Sequence, residues 1–149
     1  MSRLEVPLGY RTLRATGHTV LWADLVLSLK TNGGAWEEVP FRVDSGTEMT
    51  TMLAVDARKL DLPLPKTPVS GLVLYGQEVR PGSLRARIVG MDPTEFDFPC
   101  YFIGDPNLLP PAPARNLLGL TGVINQIHLT FEGASSALAP WGILVVEKR

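Results

Sequence analysis

The segment Asp44-Ser45-Gly46-Thr47 puts a carboxylate, a hydroxyl and a glycine on a tight turn between two hydrophobic segments. The alternating stretch before it, Val39-Pro40-Phe41-Arg42-Val43, reads as a strand. The stretch after it, Met49 to Val55, is largely apolar. Removing an ionised carboxylate from water is costly. An aspartate buried at such a turn must be hydrogen-bonded, paired or catalytic. Alone, Asp-Ser-Gly is also the composition of a plain turn. Asp and Ser bond to local backbone there, and Gly supplies a positive φ.

Other residues that can do chemistry have poorer company. Cys100 is the only cysteine, so an intrachain disulfide and a cysteine-rich zinc site are excluded. Its setting, Phe98-Pro99-Cys100-Tyr101-Phe102, is that of a buried hydrophobe. His18 and His128 lie far apart and form no metal-binding motif. A Ser-His-Asp set can be written from Ser45, His128 and Asp44, but no Gly-x-Ser-x-Gly elbow accompanies it. Trp22, Trp36 and Trp141 read as core or interface aromatics.

The composition is that of a globular chain: 149 residues, 45% hydrophobic and 19% charged. A formal net charge of −1, with scattered basic residues, gives no footprint for nucleic acid or an anionic membrane. The start, Met1 to Pro7, lacks the apolar core of a signal peptide, and no apolar run reaches membrane-spanning length. A cytoplasmic location is the default expectation.

Fourteen glycines and thirteen prolines punctuate the chain and favour short strands over long helices. Thr19 to Leu29 reads as one long strand. The turn Thr31-Asn32-Gly33-Gly34 follows, with Asn32-Gly33 as its hairpin pair. A short helix is expected over Ala54 to Leu60, ahead of Pro63, Pro65 and Pro68. Val69 to Val89 is β-rich and holds Val73-Leu74-Tyr75 and Leu84 to Val89 as strands. Phe96 to Ile103 is a further strand. Asp105 to Ala114, with Pro106, Pro110, Pro111 and Pro113, reads as a surface loop. A short helix is expected over Gly122 to Gln126, then strands over His128 to Phe131 and Gly142 to Glu147. The sum is an all-β domain with one or two short helices.

The order of these motifs resembles that of the retropepsin-like aspartic proteases. Phe41-Arg42-Val43-Asp44-Ser45-Gly46-Thr47 matches their catalytic loop. Leu117-Leu118-Gly119, running on through Leu120-Thr121-Gly122-Val123-Ile124, matches their hydrophobic-hydrophobic-Gly motif. A glycine-bearing hairpin candidate lies between the two. The resemblance spans about residue 19 to the end, and it implies one closed, barrel-like β-domain over 1–149. It also implies a homodimer, with Asp44 of each chain forming a catalytic dyad that shares one proton. Ser45 would lock the two loops together across the two-fold axis, and Gly46 would let backbone approach the carboxylates. Thr47 stands where retroviral members commonly have Ala, and its hydroxyl is near Asp44. Glu48 reads as a solvated turn residue. The implied flap is the hairpin within Val69 to Leu84, with Tyr75-Gly76-Gln77 as tip candidate; Gly71 or Pro81-Gly82 can equally mark the bend. The substrate would be an extended peptide, with no metal or organic cofactor. The apolar terminal stretch Trp141 to Val146 is a candidate for the dimer interface. Two other readings stand beside this one: a non-catalytic domain of the same fold used for dimerisation or peptide binding, and an unrelated β-barrel module with Asp44 in a plain turn.

Overall fold

A computed structural model of the chain describes residues 3–109, 116–133 and 136–149. The described strands are β1 (Arg3–Pro7), β2 (Gly9–Thr12), β3 (Thr19–Trp22), β4 (Asp24–Lys30), β5 (Trp36–Val43) and β6 (Thr50–Leu53). Helix α1 (Ala54–Lys59) follows, then β7 (Val73–Leu74), β8 (Gln77–Ile88), β9 (Phe96–Ile103), β10 (Leu117–Leu118), β11 (Ile127–Glu132) and β12 (Ile143–Lys148). Pro110, Pro111 and Pro113 of the expected proline loop lie outside the described residues.

The largest sheet runs β4-β5-β10-β6-β9-β8-β7, and an added pairing of β4 with β8 closes it into a barrel. The side-chain period of a strand explains its interior. On β4, Leu25, Leu27 and Leu29 are buried, while Val26 and Ser28 between them are only partly covered. Phe96, Phe98, Cys100 and Phe102 repeat that pattern on β9. Phe41 from β5 and Leu84, Ala86 and Ile88 from β8 complete the same core. Each fully buried Leu or Phe contributes roughly 1.5–3 kcal/mol.

The expected strand Thr19 to Leu29 is two strands. The chain changes partners at buried Ala23: β3 pairs with β2, and β4 enters the barrel against β5. The turn after β4 stands, with a different geometry. Gly34, at φ +86°, takes the left-handed position, so the Asn32-Gly33 pair does not. Asn32 instead hooks the loop after α1: its amide nitrogen donates to the Asp61 carbonyl at 2.8 Å and its side chain to Asp61 Oδ1 at 3.0 Å.

The expected helix Gly122 to Gln126 is a run of turns. Gly122 sits at φ +72°, which a continuing right-handed helix excludes. Pro81-Gly82 marks no bend, since β8 runs through both in register with Tyr101 and Cys100. Strands β1 and β2 had no counterpart in the sequence reading. β1 and β11 flank β12 in a separate three-stranded sheet.

Candidate active site

Asp44 follows directly on β5, where the chain leaves the barrel. Its carbonyl accepts the Thr47 amide at 3.1 Å, which closes a tight turn. The Gly46 amide donates to Asp44 Oδ1 at 2.9 Å, and the Thr47 hydroxyl donates to Oδ2 at 2.8 Å. Each carboxylate oxygen therefore carries one donor from its own loop. The side chain is half-buried, with Ser45, Gly46 and Glu48 exposed beside it. The carboxylate is thus held in place and still open to the outside.

What separates this loop from an ordinary surface turn is its attachment to a segment more than seventy residues away. β10 lies between β5 and β6, parallel to the first at Leu117↔Arg42 and Leu118↔Val43 and antiparallel to the second at Leu117↔Thr51. The loop joining β5 to β6 passes over the end of β10. There the Asp44 amide donates to the Leu118 carbonyl at 3.1 Å. The Leu120 amide returns a bond to the Thr47 carbonyl at 3.1 Å, and that of Thr121 to the Glu48 carbonyl at 2.8 Å. The Gly119 amide donates to Thr50 Oγ1 at 3.1 Å. A side chain at residue 119 has no room: its Cβ would stand 2.5 Å from the Met49 carbonyl carbon and 2.8 Å from the Thr50 nitrogen. Leu118 fills the core, and Gly119 lets the Asp44 loop close over the strand end.

The hairpin between α1 and β9 turns at Tyr75-Gly76. Val73 pairs with Glu78 and Leu74 with Gln77, leaving Tyr75 (φ +53°) and Gly76 (φ +72°) as the central residues of a type I′ turn. Gly71 lies before β7, in the turn closed by the Leu72 amide on the Val69 carbonyl. The Tyr75 ring is 76% exposed at the tip. The base of the hairpin is anchored by a residue that sequence reasoning missed. Arg80, buried in β8, donates through Nη1 to Glu78 Oε1 at 2.8 Å and to the Gly104 carbonyl at 2.9 Å. The sequence holds only a weak signal for it, an arginine directly after Val79 in a β-rich stretch; in the structure the two are adjacent buried positions that break the period of two. Arg42 was also missed. It leaves β5 two residues before Asp44, pairs with Asp24 Oδ1 at 3.3 Å and lies 4.9 Å from the centre of the Trp22 ring.

The crystal structure of a retropepsin-like aspartic protease from Rickettsia conorii is similar over 98% of this chain and 90% of that one, at a TM-score of 0.57 and 15% sequence identity. This chain has the retropepsin-like fold. No protein-family model and no curated protein matches it by sequence.

The remaining candidates fall into place around the retropepsin-like barrel. Cys100 is fully buried, and burial pushes its thiol well up from the ordinary range. It is a core side chain. His18, in the connection from β2 to β3, and His128, on β11, are both exposed. Trp36 carries the Arg87 guanidinium 3.8 Å from its ring centre, and Trp141 packs against Tyr10 with ring centres 5.6 Å apart. Among the described residues no group of three or more His, Cys, Asp or Glu could hold a metal, and no helix is long and apolar enough to cross a membrane.

Proposed function

We propose that this protein is an aspartic endopeptidase that works as a homodimer, with Asp44 of each copy forming the catalytic pair. One observation carries the reading. In a retropepsin-like fold, the Asp44 carboxylate is held by Gly46 and Thr47 in a loop strapped to β10, and it stays half-open at the surface. A plain turn needs no strap to a distant strand.

Two carboxylates brought close together hold one proton between them. The ionised Asp44 takes a proton from a water molecule as that oxygen attacks the peptide carbonyl carbon. The protonated Asp44 of the second copy gives its proton to the carbonyl oxygen. When the resulting diol collapses, the C–N bond breaks and the amine leaves with a proton from the pair. Water is consumed, and a carboxylic acid and an amine are released.

Gly46 and Thr47 hold the orientation of the carboxylate. Ser45, at the exposed end of the loop, is the group that meets the other copy. Tyr75-Gly76-Gln77 forms the tip of a flap over an extended peptide, and Arg80 fixes the base of that flap. Leu117-Leu118-Gly119 supports the loop from below. The same dimer without activity would be a scaffold or a peptide-binding domain.

The test is digestion of an unstructured protein and a peptide library, at acidic and neutral pH, by wild type and by Asp44→Asn. Loss of the acid–base pair should lower kcat/KM by about 10²–10⁴-fold. An Asp44→Asn variant that cuts as fast as wild type would remove the protease reading.

A further inference from the structure

If Asp44 is half of a site, a second copy must dock beside its loop, and the chain's own pairing limits where. β12 is the middle strand of its sheet, bonded to β1 along one edge and β11 along the other. It has no edge left for a partner strand. The outer strand β1 carries Pro7 and the exposed charges Arg3 and Glu5, features that blunt an edge. Contact through β12 itself must therefore use a face, since β1 and β11 occupy both of its edges.

One face is built for it. The β2–β3 hairpin and the turn leading into β12 enclose a groove of about 310 Å³ lined by Leu8, Leu21, Trp22, Phe131 and Trp141. Leu21 is 47% exposed and Phe131 50%, a large apolar area to leave in water. Its aromatic rings are fixed in advance. Gly9 pairs with Trp22, and any side chain at residue 9 would strike the indole, so a glycine there lets the ring lie across β2. Arg42 stacks on the same ring, and Tyr10 packs against Trp141. Rigid, half-exposed tryptophans of this kind are the usual anchors of protein interfaces.

The groove adjoins the candidate site. The Val43 amide, one residue before Asp44, donates to the carbonyl of Ala23, one residue after Trp22, at 2.9 Å. Its rim carries both signs: Arg42 with Asp24 towards the Asp44 loop, and Glu132 among the lining residues. A two-fold contact sets a patch against its own copy, so an apolar centre with a rim of mixed sign suits it, where a rim of one sign would repel itself.

We infer that this groove is the surface through which a second copy of the chain docks, setting the two Asp44 loops side by side. The inference rests on the protease reading for the need of a second copy. Its test does not. Leu21→Arg and Phe131→Arg place a charge at half-exposed positions that the fold tolerates, as circular dichroism and thermal unfolding would verify. Val89→Arg serves as the control at an exposed apolar position outside the groove. In sedimentation equilibrium we expect wild type and Val89→Arg to dimerise alike. The two groove variants should dissociate at least about a hundredfold more readily. Groove variants that are folded and dimerise like wild type would overturn the assignment, as would a wild type that stays monomeric at every concentration. Sedimentation reads the interface without reference to cleavage, so failure of the interface and failure of the protease reading are separate results.

Discussion

Thr47 is the residue beside Asp44 whose contribution can be isolated. Its hydroxyl donates to Asp44 Oδ2, while the other oxygen is held by the Gly46 backbone amide, which a change of side chain at residue 47 leaves in place. A hydrogen bond to a charged group contributes roughly 1.5–3 kcal/mol. Thr47→Val keeps the shape of the side chain and deletes only that donor. If Asp44 is the catalytic group proposed above, kcat should fall about tenfold or more with little change in KM, because the bond orients that carboxylate without touching substrate. Steady-state kinetics on a peptide substrate would check this. Ser at residue 47 should restore the rate, whereas a purely structural role would leave kcat unmoved. The sequence made Asp44, Gly46 and Thr47 visible through their types and order. It could not show that both carboxylate oxygens find donors inside the loop, because that depends on the geometry of the turn.

At the scale of elements, what was legible depended on how local the pairing is. The β4–β5 hairpin, β9 and the short α1 declare themselves through alternation, a turn and a nearby proline cluster. β10 is only two residues long, and its strand character comes from β5 and β6 on either side. β1 pairs with β12 almost the whole chain away, and its sequence, Arg-Leu-Glu-Val-Pro, is unremarkable until that partner is present. The break at Ala23 was hidden because a change of partner leaves no mark on hydrophobicity. Two expectations follow for these elements. Gly119→Ala should destabilise the fold by about 1–3 kcal/mol, since the added Cβ presses on backbone that cannot rotate away. Chemical denaturation would measure it. Tyr75 occupies a left-handed conformation that costs a non-glycine residue roughly 1–2 kcal/mol. Tyr75→Asn gives the Asn-Gly pair that this turn prefers and should raise stability by about 1 kcal/mol. If this hairpin is the flap of the proposed protease, that gain should come with a lower kcat/KM, because the ring at its tip is lost. A variant both more stable and fully active would take Tyr75 out of the site.

The whole molecule is a closed barrel with one Asp44 loop at one end, an apolar groove beside that loop and a hairpin anchored by Arg80. Under the proposed protease reading, such a chain carries one carboxylate where the chemistry needs two. The most direct measurement is therefore a mixing experiment. Wild type and Asp44→Asn are combined in equal amounts at a fixed total concentration above that of dimer dissociation, and left to exchange partners. Random pairing leaves only about one quarter of the dimers with two intact aspartates. We expect cleavage of a peptide substrate to fall to about one quarter of the rate of the same total amount of wild type. A fall to only about one half would mean that each chain works alone, and would contradict an active site shared between two copies.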